Sequence, residues 1–221
     1  NVVGFGRLED ASNITIRNNK FSVATNTGTT SALKLVRSAN NKIVDNVLDD
    51  GNDNVVLIES NKNLIQGNRF TKARHSLLSI RCSSFNIIRN NFFDNRIQKA
   101  GEIYDCEGGS DAPYKLDATK RNIFESNTFA YTLGSDRDYR YNGIQYSGQD
   151  GIVRGNVFYD NQGGALGFQV YSDEALYNHG HRIYHNTFYA NRCFGVSSAA
   201  ATDASRYFDN QVKNNLFYKN T

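Results

Sequence analysis

The sequence predicts an all-β domain wound as a right-handed parallel β-helix, a solenoid of about eight coils with a stacked asparagine ladder. Three observations carry this expectation. One short pattern recurs along the whole chain, a second apolar segment precedes almost every copy, and no strongly helical stretch of useful length intervenes. A repeat with a period of a few tens of residues is the mark of a solenoid.

The pattern reads apolar residue, two positions, Asn, one position, then Phe or Leu. Its copies are Ile16-Asn19-Phe21, Ile43-Asn46-Leu48, Ile65-Asn68-Phe70, Ile88-Asn91-Phe93, Phe124-Asn127-Phe129, Val153-Asn156-Phe158, Ile183-Asn186-Phe188 and Val212-Asn215-Phe217. Successive asparagines lie 27, 22, 23, 36, 29, 30 and 29 residues apart. The segments preceding the second to eighth copies are Leu33-Lys34-Leu35, Val55-Val56-Leu57, Leu78-Ser79-Ile80, Glu102-Ile103-Tyr104, Gly143-Ile144-Gln145, Phe168-Gln169-Val170 and Phe194-Gly195-Val196. Several alternate with period two and are rich in Ile, Val, Phe and Tyr, so they read as strands. Each coil then holds two or three short strands between Asn- and Gly-rich turns.

Asparagine suits a fixed place in each coil for two reasons. It tolerates the left-handed backbone of a one-residue turn, and its amide both donates and accepts. Coils stacked at the strand spacing of about 4.8 Å let neighbouring amides bond in a ladder. The flanking Ile and Phe then point inward.

The segments Gly155-Asn156-Val157-Phe158-Tyr159-Asp160-Asn161, Tyr184-His185-Asn186-Thr187-Phe188-Tyr189-Ala190-Asn191 and Lys213-Asn214-Asn215-Leu216-Phe217-Tyr218-Lys219-Asn220 resemble right-handed parallel β-helix repeat proteins, the superfamily of pectate lyases and related polysaccharide-active proteins. The resemblance covers essentially the whole chain and rests on structural residues. It implies an extracellular or cell-surface protein whose partner is a polysaccharide.

Composition agrees with one folded unit, residues 1–221. Hydrophobic residues make up 39% and charged residues 21% of the 221 residues, which excludes a disordered chain. No apolar run approaches the roughly 20 residues of a membrane span, and no nucleic-acid or nucleotide motif is present. The formal charge of +3 is compatible with an acidic glycan. Met is absent and no capping helix is evident at either end, so a longer protein, or further chains at the solenoid ends, is expected. Of the three cysteines, Cys82 and Cys106 fall on adjacent coils; a disulfide and two stacked thiols both fit.

In this superfamily the sheet before each Asn copy, with its loops, usually forms the substrate groove. Leu35, Leu57 and Ile80 are expected in register and inward. Their outward neighbours are then Lys34, Val36, Val56, Ile58, Ser79 and Arg81, with Glu102, Tyr104, Gln145, Gln169 and Tyr171 on the same face in later coils. The two longest units add Asp105, Glu107 and Asp111, then Arg137, Asp138, Tyr139, Arg140 and Tyr141. Long loops in an economical solenoid tend to carry function. The expected catalytic groups are Arg81, Glu102, Tyr104 and Arg140, and the expected substrate-binding groups are Tyr139, Tyr141, Gln145, Gln169 and Tyr171. Ordinary solvated loop charge is the alternative for the groups of the two longest units.

Two chemistries fit such groups. Lyase or epimerase action on a uronic-acid glycan begins with loss of a proton beside the carboxylate, and β-elimination needs a cation on that carboxylate, a base and an acid. Arg81, Arg137 or Arg140 could neutralise; Lys34, an Arg, His75 or Tyr104 could shuttle protons. The coil Ile80-Arg81-Cys82-Ser83-Ser84 loosely resembles the alginate lyase and chondroitinase B family, which pairs a Lys and an Arg one coil apart near acidic calcium ligands. Here Lys34 and Arg81 are two coils apart with Glu59 between, so no catalytic assignment transfers. Glycoside hydrolysis by a carboxylate pair drawn from Glu102, Asp105, Glu107, Asp138 and Asp173 is the second chemistry. A non-catalytic structural or glycan-binding module of a surface protein, phage spike or filament is the non-enzymatic alternative.

No cofactor is required. Asp49-Asp50-Gly51-Asn52-Asp53-Asn54 is oxygen-rich enough to hold Ca²⁺ but fits an ordinary turn. His179, His181 and His185 are expected in a solvent-exposed turn.

Overall fold

A computed structural model of the chain describes residues 2–3, 5–23, 30–104, 119–133, 142–168, 178–198 and 207–221. Among them every regular element is a β-strand and every strand pair is parallel. The coil has three faces. The first is built from Gly6–Glu9, Leu33–Val36, the ends of Val47–Ile58 and Arg69–Arg81, then Lys99–Tyr104, Ile144–Tyr146, Leu166–Phe168 and Val196–Ser198. The second, an eight-stranded sheet, runs from Thr15–Arg17 to Gln211–Lys213, one strand per expected coil. The third runs from Val2–Val3 to Leu216–Tyr218. Val47–Ile58 and Arg69–Arg81 continue from the third face round to the first and join the two into one sheet.

Most three-residue strands of the second and third faces bury their central residue, Ile16 being half-buried and Val212 and Phe217 exposed, and register stacks the central residues into columns. Ile43, Ile65, Ile88, Phe124, Val153 and Ile183 form one column. Phe70, Phe93, Phe129, Phe158, Phe188 and Phe217 form another, with consecutive rings 4.5–5.1 Å apart and within 15° of parallel. The strand spacing thus sets ring separation, and aromatic stacking adds to area burial. On the first face Leu35, Leu57, Ile80, Ile103, Tyr146 and Phe168 align inward, with Lys34, Val56, Ser79, Glu102 and Gln145 as the outward row.

The asparagine ladder joins successive coils. The Asn127 N–H bonds Asn156 Oδ1 at 2.9 Å, and the Asn156 N–H bonds Asn186 Oδ1 at 2.9 Å. Each side-chain amide also reaches back, as Asn156 Nδ2 does to the Phe124 carbonyl at 2.9 Å. The left-handed residue, however, is the one before the ladder asparagine: Asp45, Gly67, Asn90, Ser126, Gly155, His185 and Asn214 all have positive φ. The turn and the ladder are therefore divided between two adjacent residues. One bends the chain, and the next ties it to its neighbours.

The same pair of jobs recurs at other corners. Asn41, Asn63, Asn86 and Asn122 form a second ladder, Ser38, Ser60 and Ser83 a third, and Thr132, Asn161, Asn191 and Asn220 a fourth. Two expectations are corrected here. Asp49 to Asn54 is part of the strand Val47–Ile58, with a register shift between Gly51 and Asp53, and is not a simple turn. His181 is buried, while His179 is partly buried and only His185 is exposed.

Candidate functional site

The first face carries a chain of polar side chains across four successive coils. At its corner with the third face, Asp53, Ser76 and Lys99 share one register row. Asp53 Oδ1 accepts from Ser76 N at 3.1 Å and Ser76 Oγ at 2.6 Å, and it faces His75 Nδ1 at 2.9 Å. His75 Nε2 lies 3.3 Å from Glu102 Oε2, a close contact that becomes an ion pair when the ring is protonated. Glu102 Oε1 meets the Lys99 ammonium, and Lys99 also donates to Gln145 Oε1 at 2.9 Å.

Burial separates the members by role. Glu102 and Gln145 are fully buried and Lys99 nearly so, whereas the His75 side chain keeps 32% of its exposure. A substrate can reach the imidazole but not the Glu102–Lys99 pair beneath it. Burial pushes the Asp53 carboxyl up, but the His75 and Ser76 hydrogen bonds and the positive fields of His75 and Arg81 outweigh it. Asp53 is held below the usual aspartate value, because hydrogen bonds and nearby cations favour the charged form.

Arg81 and Tyr104 lie beside this chain in paired register, both half-buried and both outward. The Arg81 guanidinium carbon stands 5.4 Å from the Tyr104 ring centroid, and Arg81 Nε lies 3.2 Å from Ser79 Oγ. A guanidinium over a ring is held by the quadrupole. Ser79 and the ring therefore restrict Arg81 from two sides.

The structure thus places Arg81, Glu102, Tyr104 and Gln145 on adjacent coils of one face. Arg140, Tyr139, Tyr141, Gln169 and Tyr171 lie outside the described residues, as do Arg137, Asp105, Glu107, Asp111, Asp138, Asp173 and the Cys106 of the possible disulfide. Gly167, rather than Gln169, is the residue paired in register with Gln145. Lys34 is two rows from Ser79 on the same outward column. Asp53 and Lys99 were not expected in the site. The equal spacing of Asp53, Ser76 and Lys99, each two residues ahead of Val55, Leu78 and Gly101, was the available signal.

Carboxylates that could have held Ca²⁺ are engaged internally: Thr71 Oγ1 donates to Asp49 Oδ1 at 2.6 Å, and Asp53 is bonded as above. Among the described residues no group of three or more His, Cys, Asp and Glu side chains has an arrangement that could hold a metal ion. Nor, among them, is any helix long and apolar enough to cross a membrane.

A stacked parallel coil with internal polar ladders defines the class of β-helix proteins. The chain matches the family described as right handed beta helix region over residues 31–217 and belongs to it. No curated protein matches the sequence. Among solved structures, the alginate lyase from Paenibacillus sp. str. FPU-7 is similar at 16% identity and a TM-score of 0.58, covering 98% of this chain and 91% of that one. The DFA-IIIase of Arthrobacter chlorophenolicus A6 in complex with DFA-III is similar at 16% identity and a TM-score of 0.55, over 90% of this chain and 44% of that one. The same enzyme without its lid gives 16% and 0.53, over 97% and 54%. The chain therefore spans about half of DFA-IIIase or less. At such identity these likenesses concern the fold.

Proposed function

We propose that this chain is an extracellular, carbohydrate-active β-helix that cleaves a uronic-acid-containing polysaccharide by β-elimination on its first face. One observation carries the reading: a half-buried Arg81–Tyr104 pair shares the first face with a reachable imidazole that is backed by a buried Glu102–Lys99 pair. The similarity to an alginate lyase supports it at the level of fold.

The roles follow from position. Arg81 pairs with the sugar carboxylate and stabilises the negative charge that develops when the neighbouring carbon loses its proton. His75 Nε2 takes that proton, and the Glu102 carboxylate beside it stabilises the imidazolium formed. The electron pair becomes a carbon–carbon double bond as the glycosidic oxygen leaves, and the Tyr104 hydroxyl protonates that oxygen. Glu102, expected from the sequence as a catalytic group, acts here from beneath His75. An epimerase would share the first step and return a proton to the opposite face.

A second reading has its own support. A buried Lys99–Glu102–Gln145 cluster can also simply replace apolar filling in a structural or glycan-binding module, since buried ion pairs occur without catalysis.

Incubation with a panel of acidic and neutral polysaccharides separates these readings. New ultraviolet absorbance together with new reducing ends is the expected result. New ends without absorbance would transfer the assignment to hydrolysis by carboxylates, and silence on both would leave the binding module.

A further inference from the structure

We propose that Asp53 is the positioning residue of His75: it fixes the ring's rotamer and tautomer, leaving Nε2 as the nitrogen that exchanges protons. The assignment rests on the reading above, in which His75 handles a proton.

The sequence feature behind it is the acidic run Asp49 to Asn54, which neither a calcium site nor a simple turn explains. The register shift between Gly51 and Asp53 lies in a strand that continues to Ile58. Past this irregularity, Asp53 pairs with Ser76 of the next coil. One oxygen, Asp53 Oδ1, then receives the Ser76 N–H, the Ser76 hydroxyl and His75 Nδ1 within 3.1 Å. An ionised carboxylate only accepts, so His75 Nδ1 has to be the donor. That places a proton on Nδ1 and makes Nε2 the variable position, which faces Glu102 Oε2 at 3.3 Å.

Asp53 itself is 4% exposed and cannot touch a polymer, so it acts through the ring. The charged groups around the ring are Asp53 on the preceding coil and Glu102 on the following one, with Lys99 behind Glu102 and Arg81 near Asp53. The orienting hydrogen bond on one ring nitrogen decides what the other can do.

Nitrogen-15 NMR of the imidazole side chains tests this without an activity assay, with His75→Gln identifying the His75 signal. The expected result is a proton on Nδ1 of His75 in the parent. Asp53→Ala should convert the ring to the Nε2-protonated form, and Asp53→Asn, which keeps an acceptor oxygen, should restore Nδ1. In the elimination assay Asp53→Ala should lower kcat about a hundredfold with KM little changed, the cost of a misplaced proton-transfer group. A parent His75 with no proton on Nδ1, or an Asp53→Ala variant that keeps the parent's Nδ1 proton, overturns the proposal. If Asp53→Ala does not fold, the parent spectrum alone decides in the same way. A silent polysaccharide panel beside an Asp53-dependent tautomer would sink the elimination reading and leave the positioning intact.

Discussion

His181 accepts the Gly151 backbone N–H through Nδ1 at 3.0 Å, so a histidine occupies a place where other coils use the asparagine ladder. Its own N–H bonds Asn210 Oδ1 at 2.9 Å, continuing that ladder to the next coil. Nε2 then carries the proton, shared between the Gly148 carbonyl at 2.9 Å and Asn178 Oδ1 at 2.8 Å. Gly151 has no alternative side chain to offer, because a Cβ there would run into the Tyr146 hydroxyl and the His181 ring. Phe168 stacks on the imidazole and Tyr146 meets it edge-on.

This substitution makes stability depend on pH. Burial is the main cause that lowers the His181 value from 6.5 to about 3, because protonation would put a charge in the core. Between those values the unfolded chain binds a proton that the folded chain does not. Its contribution is fully present above pH 6.5 and is lost as pH falls toward 3. The melting temperature should therefore drop between pH 7.5 and pH 4.5. His181→Asn should flatten that drop, although it loses ring packing at neutral pH. Parallel pH curves for the two proteins would show that His181 does not govern the window.

Asn156→Ala tests the first ladder. It removes the acceptor of the Asn127 N–H and the donor to the Phe124 carbonyl, both in the interior. Each neighbour left unpaired should cost about 1–3 kcal/mol. Asn215→Ala, at a partly exposed position, should cost less because water replaces the lost partner. Urea denaturation of the two variants measures the difference, and equal midpoints with the parent would exclude a stabilising ladder.

Much of this architecture was legible because a solenoid repeats one solution. Ile-Asn-Phe at fixed offsets told which side chains point inward, and the outward row Ser79, Glu102, Gln145 followed from counting. Assigning the left-handed turn to the ladder asparagine was wrong by one residue. Sequence cannot separate the two jobs when Asn is common at both, as at Asn90 and Asn91. The burial of His181 was hidden for a different reason: three histidines in a polar stretch look like a turn, and only its alignment with ladder positions such as Asn122 distinguishes it. Asp53 and Lys99 were obscured by local composition, since an acidic run and a lone lysine read as solvent-facing until they are placed in register across coils.

Tyr104→Phe and Arg81→Ala probe the outward pair. The phenylalanine ring keeps its contact with the guanidinium and loses only the hydroxyl, so the variant isolates the hydroxyl's part in catalysis. If Tyr104 protonates the leaving oxygen, kcat should fall about a hundredfold or more. Arg81→Ala should lower kcat and, with an acidic polymer, raise KM as well. A Tyr104→Phe enzyme with parent kcat would remove the hydroxyl from the mechanism and leave the ring as an Arg81 support.

Lys99 and Glu102 form the buried ion pair on which the site rests, and their coupling can be measured apart from activity. Lys99→Met alone removes the ammonium that faces the buried Glu102 carboxylate, and should destabilise by about 3–5 kcal/mol. Glu102→Gln alone strands the Lys99 ammonium, though Gln145 Oε1 still accepts from it, so its cost should be smaller. The double variant removes both charges and should recover part of the loss, giving a coupling of about 0.5–3 kcal/mol in the cycle. Coupling indistinguishable from zero would mean that each charge is satisfied elsewhere. In that case His75, still flanked by Asp53, would have to work without an organised anion beneath Nε2, and the imidazolium formed in the first step would lose its stabilising partner.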